Sequence, residues 1–231
     1  YENEVTQEML KGRMKELFGI DSEDLMLLDE FDNLQPPGSL QSEISESFQT
    51  GALPGSDAWY FDGQFRGKGI RRHYEELAKK LEKSLERPQP EWTRHLLTYY
   101  QRLAVFLAEK AEMGLDLKAD YDQHNQEKMR EWTKRRIPQC LHVLEELWEM
   151  RETIWMSECK PQGYEVIDIR LGGVKSRLKS AARRIETWLS HPEKQLEELE
   201  EQRVCFWPDE DRIYSFNRWE QIVSASNINE L

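Results

Sequence analysis

Adjacent carboxylates can supply the general acid and the base or nucleophile that glycoside hydrolysis needs. Two pairs in the order Asp-Glu stand out in the 231-residue chain, Asp29-Glu30 and Asp209-Glu210. Asp29-Glu30 follows Leu25-Met26-Leu27-Leu28, a run that could pass for a strand delivering the pair to a site. Adjacency alone is common in a chain with 44 acidic residues. Neither pair has a barrel around it to raise a carboxyl pKa or to hold a sugar, so both read as structural.

The other reactive residue types are equally scattered. His73, His95, His124, His142 and His191 include no pair at i, i+4 spacing, so a zinc-binding helix is not supported. Asp116, Asp120 and Asp122 are spaced loosely like a calcium loop but lack its turn glycine. Gly67-Lys68-Gly69 is too short to cradle a phosphate and has no strand before it. No cofactor is expected. Cys140, Cys159 and Cys205 are odd in number and far apart, which fits a reducing, cytoplasmic compartment rather than a disulfide framework. The eight tryptophans could stack on sugar rings. Trp148, Trp155 and Trp188 nevertheless fall on apolar helix faces and read as core, and Trp92 and Trp132 read as closures at helix starts.

The elements that would position these residues are helices. Val5, Met9, Leu10, Met14 and Leu17 predict a helix over 4–18 ended by Gly19, with Asp21-Ser22-Glu23-Asp24 capping a short second one. Residues 32–69 are rich in Gly, Pro and Ser and read as a long loop, with Trp59-Tyr60-Phe61 as its anchor. Four longer helices follow. One spans 70–85 and stops at Pro88 and Pro90. The next spans 91–117, with Leu96, Tyr100, Leu103, Leu107 and Ala111 on one stripe. A third starts near Gln126, and Pro138 interrupts it with a break or a fresh helix start. The fourth starts near Leu171 and ends at His191-Pro192. A final helix covers 193–204. Only 164–169 and the stretch 222–228 alternate like strands. The expected fold is therefore mainly α: a multi-helix bundle with a long N-terminal loop, one or two short strands and no catalytic barrel, which would need about eight strands. The expected division is 1–35, a helical remnant adjoining a missing barrel; 36–69, an extended linker; and 70–231, the helical domain.

The net charge of −12 and the twelve acidic against three basic residues in 1–50 argue against nucleic acid as a partner. The six basic residues of 170–184 are expected to satisfy the acidic helix that follows. The longest wholly apolar run is 103–108, far short of the roughly 18 residues of a membrane span. Tyr1-Glu2-Asn3-Glu4 does not look like a signal peptide, and without an initiator Met a preceding segment is expected.

One stretch is not generic helix. Between Trp155 and Gly173 the chain reads Lys160-Pro161-Gln162-Gly163, then Tyr164-Glu165-Val166, then Asp168-Ile169-Arg170-Leu171-Gly172-Gly173. Gly163 allows a sharp turn, and two glycines at a helix start cost about 1 kcal/mol each relative to Ala. That cost suggests a close backbone approach or a positive φ. The stretch resembles the hallmark of the C-terminal helical domain of bacterial glycoside hydrolase family 20, the exo-β-N-acetylhexosaminidases, with Gln162 where an aromatic is usual. The resemblance extends to Trp59-Tyr60-Phe61-Asp62-Gly63, Arg177-Leu178-Lys179-Ser180, the acidic run from Leu196, and Phe216-Asn217-Arg218-Trp219.

The resemblance implies a parent that removes terminal β-linked N-acetylhexosamine from glycans. The substrate sugar's own 2-acetamido group attacks the anomeric carbon, a Glu of the enzyme protonates the leaving oxygen, and the preceding Asp orients the acetamido group. Neither acid pair here lies behind the family's His-x-Gly signature, so no catalytic residue carries over. The fragment is expected to be a non-catalytic support for the barrel of its own chain, for dimerisation or for the active-site mouth. Trp155, Lys160, Pro161, Gly163, Glu165, Asp168, Arg170, Gly172 and Gly173 are the docking or mouth candidates, with Asp168 and Arg170 as a buried ion pair or a bridge to the barrel. An independent helical module that binds another protein is the alternative.

Overall fold

The computed structural model describes residues 5–31 and 69–200, and in that part the chain is a helical bundle with no strand. Helix α1, Gln7–Phe18, begins where the Thr6 hydroxyl accepts the Met9 N–H and ends at Gly19, whose φ of 65° lets its N–H turn back to the Lys15 carbonyl. The Asp21 carboxylate caps α2, Ser22–Met26, through the Glu23 N–H at 3.0 Å. The run Leu25-Met26-Leu27-Leu28 is thus helical, passing into a 3-10 turn over Leu27–Phe31, and not a strand.

Helix α3, Ile70–Leu85, buries Ile70, Tyr74, Leu77 and Leu81, one stripe at helical spacing. It lies along α4, Glu91–Lys110, after the prolines that end it. The helix expected to run from 91 to 117 is in fact two. The chain turns at Ala111 and Glu112 and restarts as α5, Met113–Asp122. Met113, Leu117 and Tyr121, four residues apart, form a stripe of their own that the turn delivers to the core.

Helix α6, Gln126–Glu131, is capped by Asn125 and widens into a π-helical stretch, Trp132–Arg136, that runs into α7, Ile137–Glu158. Of the two outcomes expected at Pro138, a break or a fresh helix start, the second holds: α7 begins at Ile137 with Pro138 in its first turn. A proline lacks the N–H for the i−4 carbonyl and its ring collides with that carbonyl, and the wider π turn just before it relieves both demands.

The largest departure is at 164–169. The short strand expected there is the first turn and a half of α8, Tyr164–Ser190. Its period-two pattern loses because a lone strand of six residues would leave its backbone groups unpaired, whereas a helix pairs them internally. Helix α8 buries Tyr164, Val174, Leu178, Ala181, Ile185 and Trp188. A short α9, Glu197–Glu200, closes the described part.

The core forms between α3, α4, α7 and α8, where Leu77, Leu81, Leu97, Ala104, Leu144 and Leu178 are wholly inaccessible. Trp132, expected at a helix end, is itself fully buried. Burial of this apolar surface is the main stabilising term. Segment 20–31 is fastened to α3 by the Ser84 hydroxyl on Asp24 (2.6 Å), His73 Nε2 at the Glu30 carbonyl (2.7 Å) and the Tyr74 hydroxyl on the Phe31 carbonyl (3.3 Å). The expected loop over 32–69, the strand at 222–228, Cys205 and the pair Asp209-Glu210 lie outside the described residues, Gly69 excepted.

Candidate functional site

The corner between α7 and α8 gathers most of the residues singled out in the sequence. Helix α7 ends at Glu158 because Cys159 turns to an extended backbone (φ −124°, ψ 165°), its N–H held by the Trp155 carbonyl at 2.7 Å. Pro161 cannot continue the helix. Gly163 then adopts φ 97°, a left-handed conformation that a side chain rarely takes, and its missing Cβ would sit 3.4 Å from the Trp155 ring. The Gly163 N–H donates to Glu165 Oε2 at 2.7 Å, so this acid caps the helix it belongs to.

Two indoles lock the corner. Trp155 Nε1–H donates to the Lys160 carbonyl at 2.7 Å, folding the turn back on α7. Trp148 Nε1–H donates to Asp168 Oδ1 at 2.8 Å, clasping α7 to α8 one turn further in. The Tyr164 hydroxyl donates to the Trp148 carbonyl at 3.2 Å, and its ring packs tilted against Trp155 with centroids 5.8 Å apart. Burial first, then the nearby Asp168 and Glu152 charges, push the Tyr164 phenol up to about 12, so it stays a neutral donor. The Arg151 guanidinium lies between Tyr99 and Trp155, 5.6 and 5.7 Å from their ring centroids.

Several expectations about this segment are corrected. Gly172 and Gly173 do not open a helix. Both lie inside α8, and the positive φ belongs to Gly163. A Cβ on Gly172 would meet only the Trp148 ring at 3.5 Å, and one on Gly173 would meet nothing within 4 Å. Asp168 and Arg170 form no buried ion pair. Both are exposed, and an i, i+2 spacing sets them about 200° apart around a helix. Asp168 is engaged by Trp148, while Arg170 and the Lys160 side chain face outward. Trp148 and Trp155 are half-buried at this corner, whereas Trp188 is core as expected.

Several of the acids elsewhere are held in ion pairs. Glu30 pairs with Lys80 at 2.6 Å. Asp116, read as part of a degenerate calcium loop, is an ion-pair hub that takes Arg71 at 2.5 Å and Arg136 at 2.7 Å. Burial pushes its carboxyl up, but the Arg136 and Arg71 hydrogen bonds outweigh that and hold it below its ordinary value. Arg136 also stacks 3.7 Å over Trp132, whose Nε1–H donates to Asp120. An open cleft of about 560 Å³ lies over these groups, and its charges are largely spent on one another: Lys128 on Asp120 and Arg135 on Glu131. Among the described residues no three His, Cys, Asp or Glu are grouped to hold a metal ion. The basic face of α8 does meet the acidic helix, since Arg184 grips both oxygens of Glu198 at 2.7 and 2.8 Å. No described helix is long and apolar enough to cross a membrane.

Sequence reasoning missed Tyr164 and Arg151. The i, i+4 spacing of Arg151 and Trp155 was the available signal for the second. Tyr164 was hidden by the strand assignment.

A protein-family model described as the glycoside hydrolase 20C C-terminal domain matches residues 59–217. No curated protein matches the chain.

Proposed function

Because the chain belongs to the glycoside hydrolase 20C C-terminal domain family, we propose that it is the non-catalytic helical module of an exo-β-N-acetylhexosaminidase. In this reading the catalytic barrel of the same polypeptide carries the chemistry, and the helical module is the scaffold on which that barrel rests. The observation that carries the reading is the division of labour at the α7–α8 corner. Trp148, Trp155, Gly163, Glu165 and Asp168 spend their polar groups on holding the two helices, while Arg170 and Lys160 are exposed. A rigid corner with outward cations suits a surface that orients a neighbouring domain. Dimerisation through the same module belongs to this reading as a second use of that surface.

The test is Arg170→Ala in the full-length parent. Unchanged turnover of a chromogenic N-acetylglucosaminide, with weakened thermal unfolding of the whole enzyme, supports the scaffold. Lost turnover with unchanged unfolding would instead put Arg170 at the sugar-binding mouth. The 231-residue chain by itself is expected to leave the same substrate intact, and clear turnover would overturn the reading.

A further inference from the structure

Helix α1 has no buried residue, although Leu10, Met14 and Leu17 fall at i, i+4, i+7 on one stripe. Leu10 is 51% exposed, Leu17 70% and Phe18 53%. The helix is nonetheless well formed, with Thr6 capping one end and Gly19 the other. A helix of about 12 residues is marginal alone in water, and Gly12 near its middle weakens it further. Among the described residues its fastening to the bundle is slight: Lys11 reaches Glu23 at 2.8 Å, and Gly19 sits against Pro90. The next residues, Ile20 to Phe31, are by contrast moored to α3.

We infer that the Leu10–Met14–Leu17–Phe18 face of α1 is the docking seam for the catalytic domain of the same polypeptide, an inference that rests on the scaffold reading above. Two observations choose this occupant. First, α1 lies outside the matched segment 59–217 and on its N-terminal side, where the hydrolase domain that a C-terminal domain follows must arrive. Second, the patch is small. A 12-residue helix is about 18 Å long and offers a few hundred Å² on one face, well short of the roughly 800 Å² per partner that a stable two-body interface buries. So small a face suffices when the partner is covalently linked, because the tether supplies an effective concentration in the millimolar range. A second copy of the chain has no such help.

Amide hydrogen exchange of residues 7–18 tests this, compared between the full-length hydrolase and the 231-residue chain. Exchange at least about tenfold slower in the full-length protein is expected, since docking adds protection that the isolated chain lacks. Leu17→Glu with Phe18→Glu should abolish that extra protection while leaving the melting temperature of the 231-residue chain unchanged. Equal exchange in the two proteins overturns the inference. A concentration-dependent dimer of the 231-residue chain that the double substitution dissolves would assign the face to a second copy. A large drop in that chain's own melting temperature would assign it to another segment of the same chain. The scaffold reading fails separately, if the full-length protein lacks N-acetylhexosaminidase activity while the exchange difference persists.

Discussion

Trp148 Nε1 lies 2.8 Å from Asp168 Oδ1, and this bond joins α7 to α8 across their corner. Trp148→Phe keeps most of the apolar contact and removes the donor. We expect a loss of about 0.5–1.5 kcal/mol, toward the lower end because the pair is partly exposed to solvent. Asp168→Asn retains an acceptor and should cost less. Urea unfolding at constant m-value measures both, and an Asn variant as damaged as the Phe variant would mean that the carboxylate charge, not the bond, matters.

The glycines of the same segment make opposite predictions. Gly163→Ala forces a side chain into φ 97° beside Trp155 and should destabilise by at least about 1 kcal/mol. Gly173→Ala places a methyl in open space inside a helix and should stabilise by up to about 1 kcal/mol. Thermal unfolding of the two variants decides it. Melting temperatures that fall together would show that Gly173 is needed for a contact beyond this chain.

The contrast between those glycines shows where the sequence was legible and where it was not. The stripe of Ile70, Tyr74, Leu77 and Leu81 was visible as periodicity because burial on one face imposes it. The Gly19 stop and the Asp21 cap were visible because local backbone chemistry sets them. The start of α8 was not. Whether 164–169 alternates as a strand or winds as a helix depends on whether a pairing strand exists, which no local pattern records. The Asp116 hub was equally hidden, since Arg71 and Arg136 reach it from 45 and 20 residues away. At the corner, residue types revealed that something unusual happens, but the partners of Trp148 and Trp155 emerge only from the packing.

Asp116 predicts a pH dependence. Its folded-state carboxyl lies below the ordinary value of 3.8, so the stabilisation is complete above that pH and is lost as pH falls through the lower folded value. Asp116→Asn removes the charge and leaves two partly buried guanidiniums, 33% and 20% exposed, sharing a neutral amide. We expect a cost of about 1–3 kcal/mol at neutral pH. The gap between wild type and variant should narrow in titrations below pH 3.8. A constant gap across the acid range would show that Asp116 contributes through shape alone.

The two described cysteines should differ sharply in reactivity. Cys159 is exposed just past the end of α7, whereas Cys140 is inaccessible within that helix and its thiol is pushed up to about 12, chiefly by burial. The thiolate is the nucleophile, so at neutral pH Cys140 is both shielded and protonated. A disulfide reagent followed by peptide mapping should modify Cys159 promptly and Cys140 only as the chain unfolds. Cys140 labelling should then accelerate with denaturant in step with the loss of helical signal, because exposure requires α7 to leave α4 and α8. If Cys140 instead reacts as fast as Cys159 under native conditions, with the cooperative transition intact, the packing of α7 against its neighbours is looser than described.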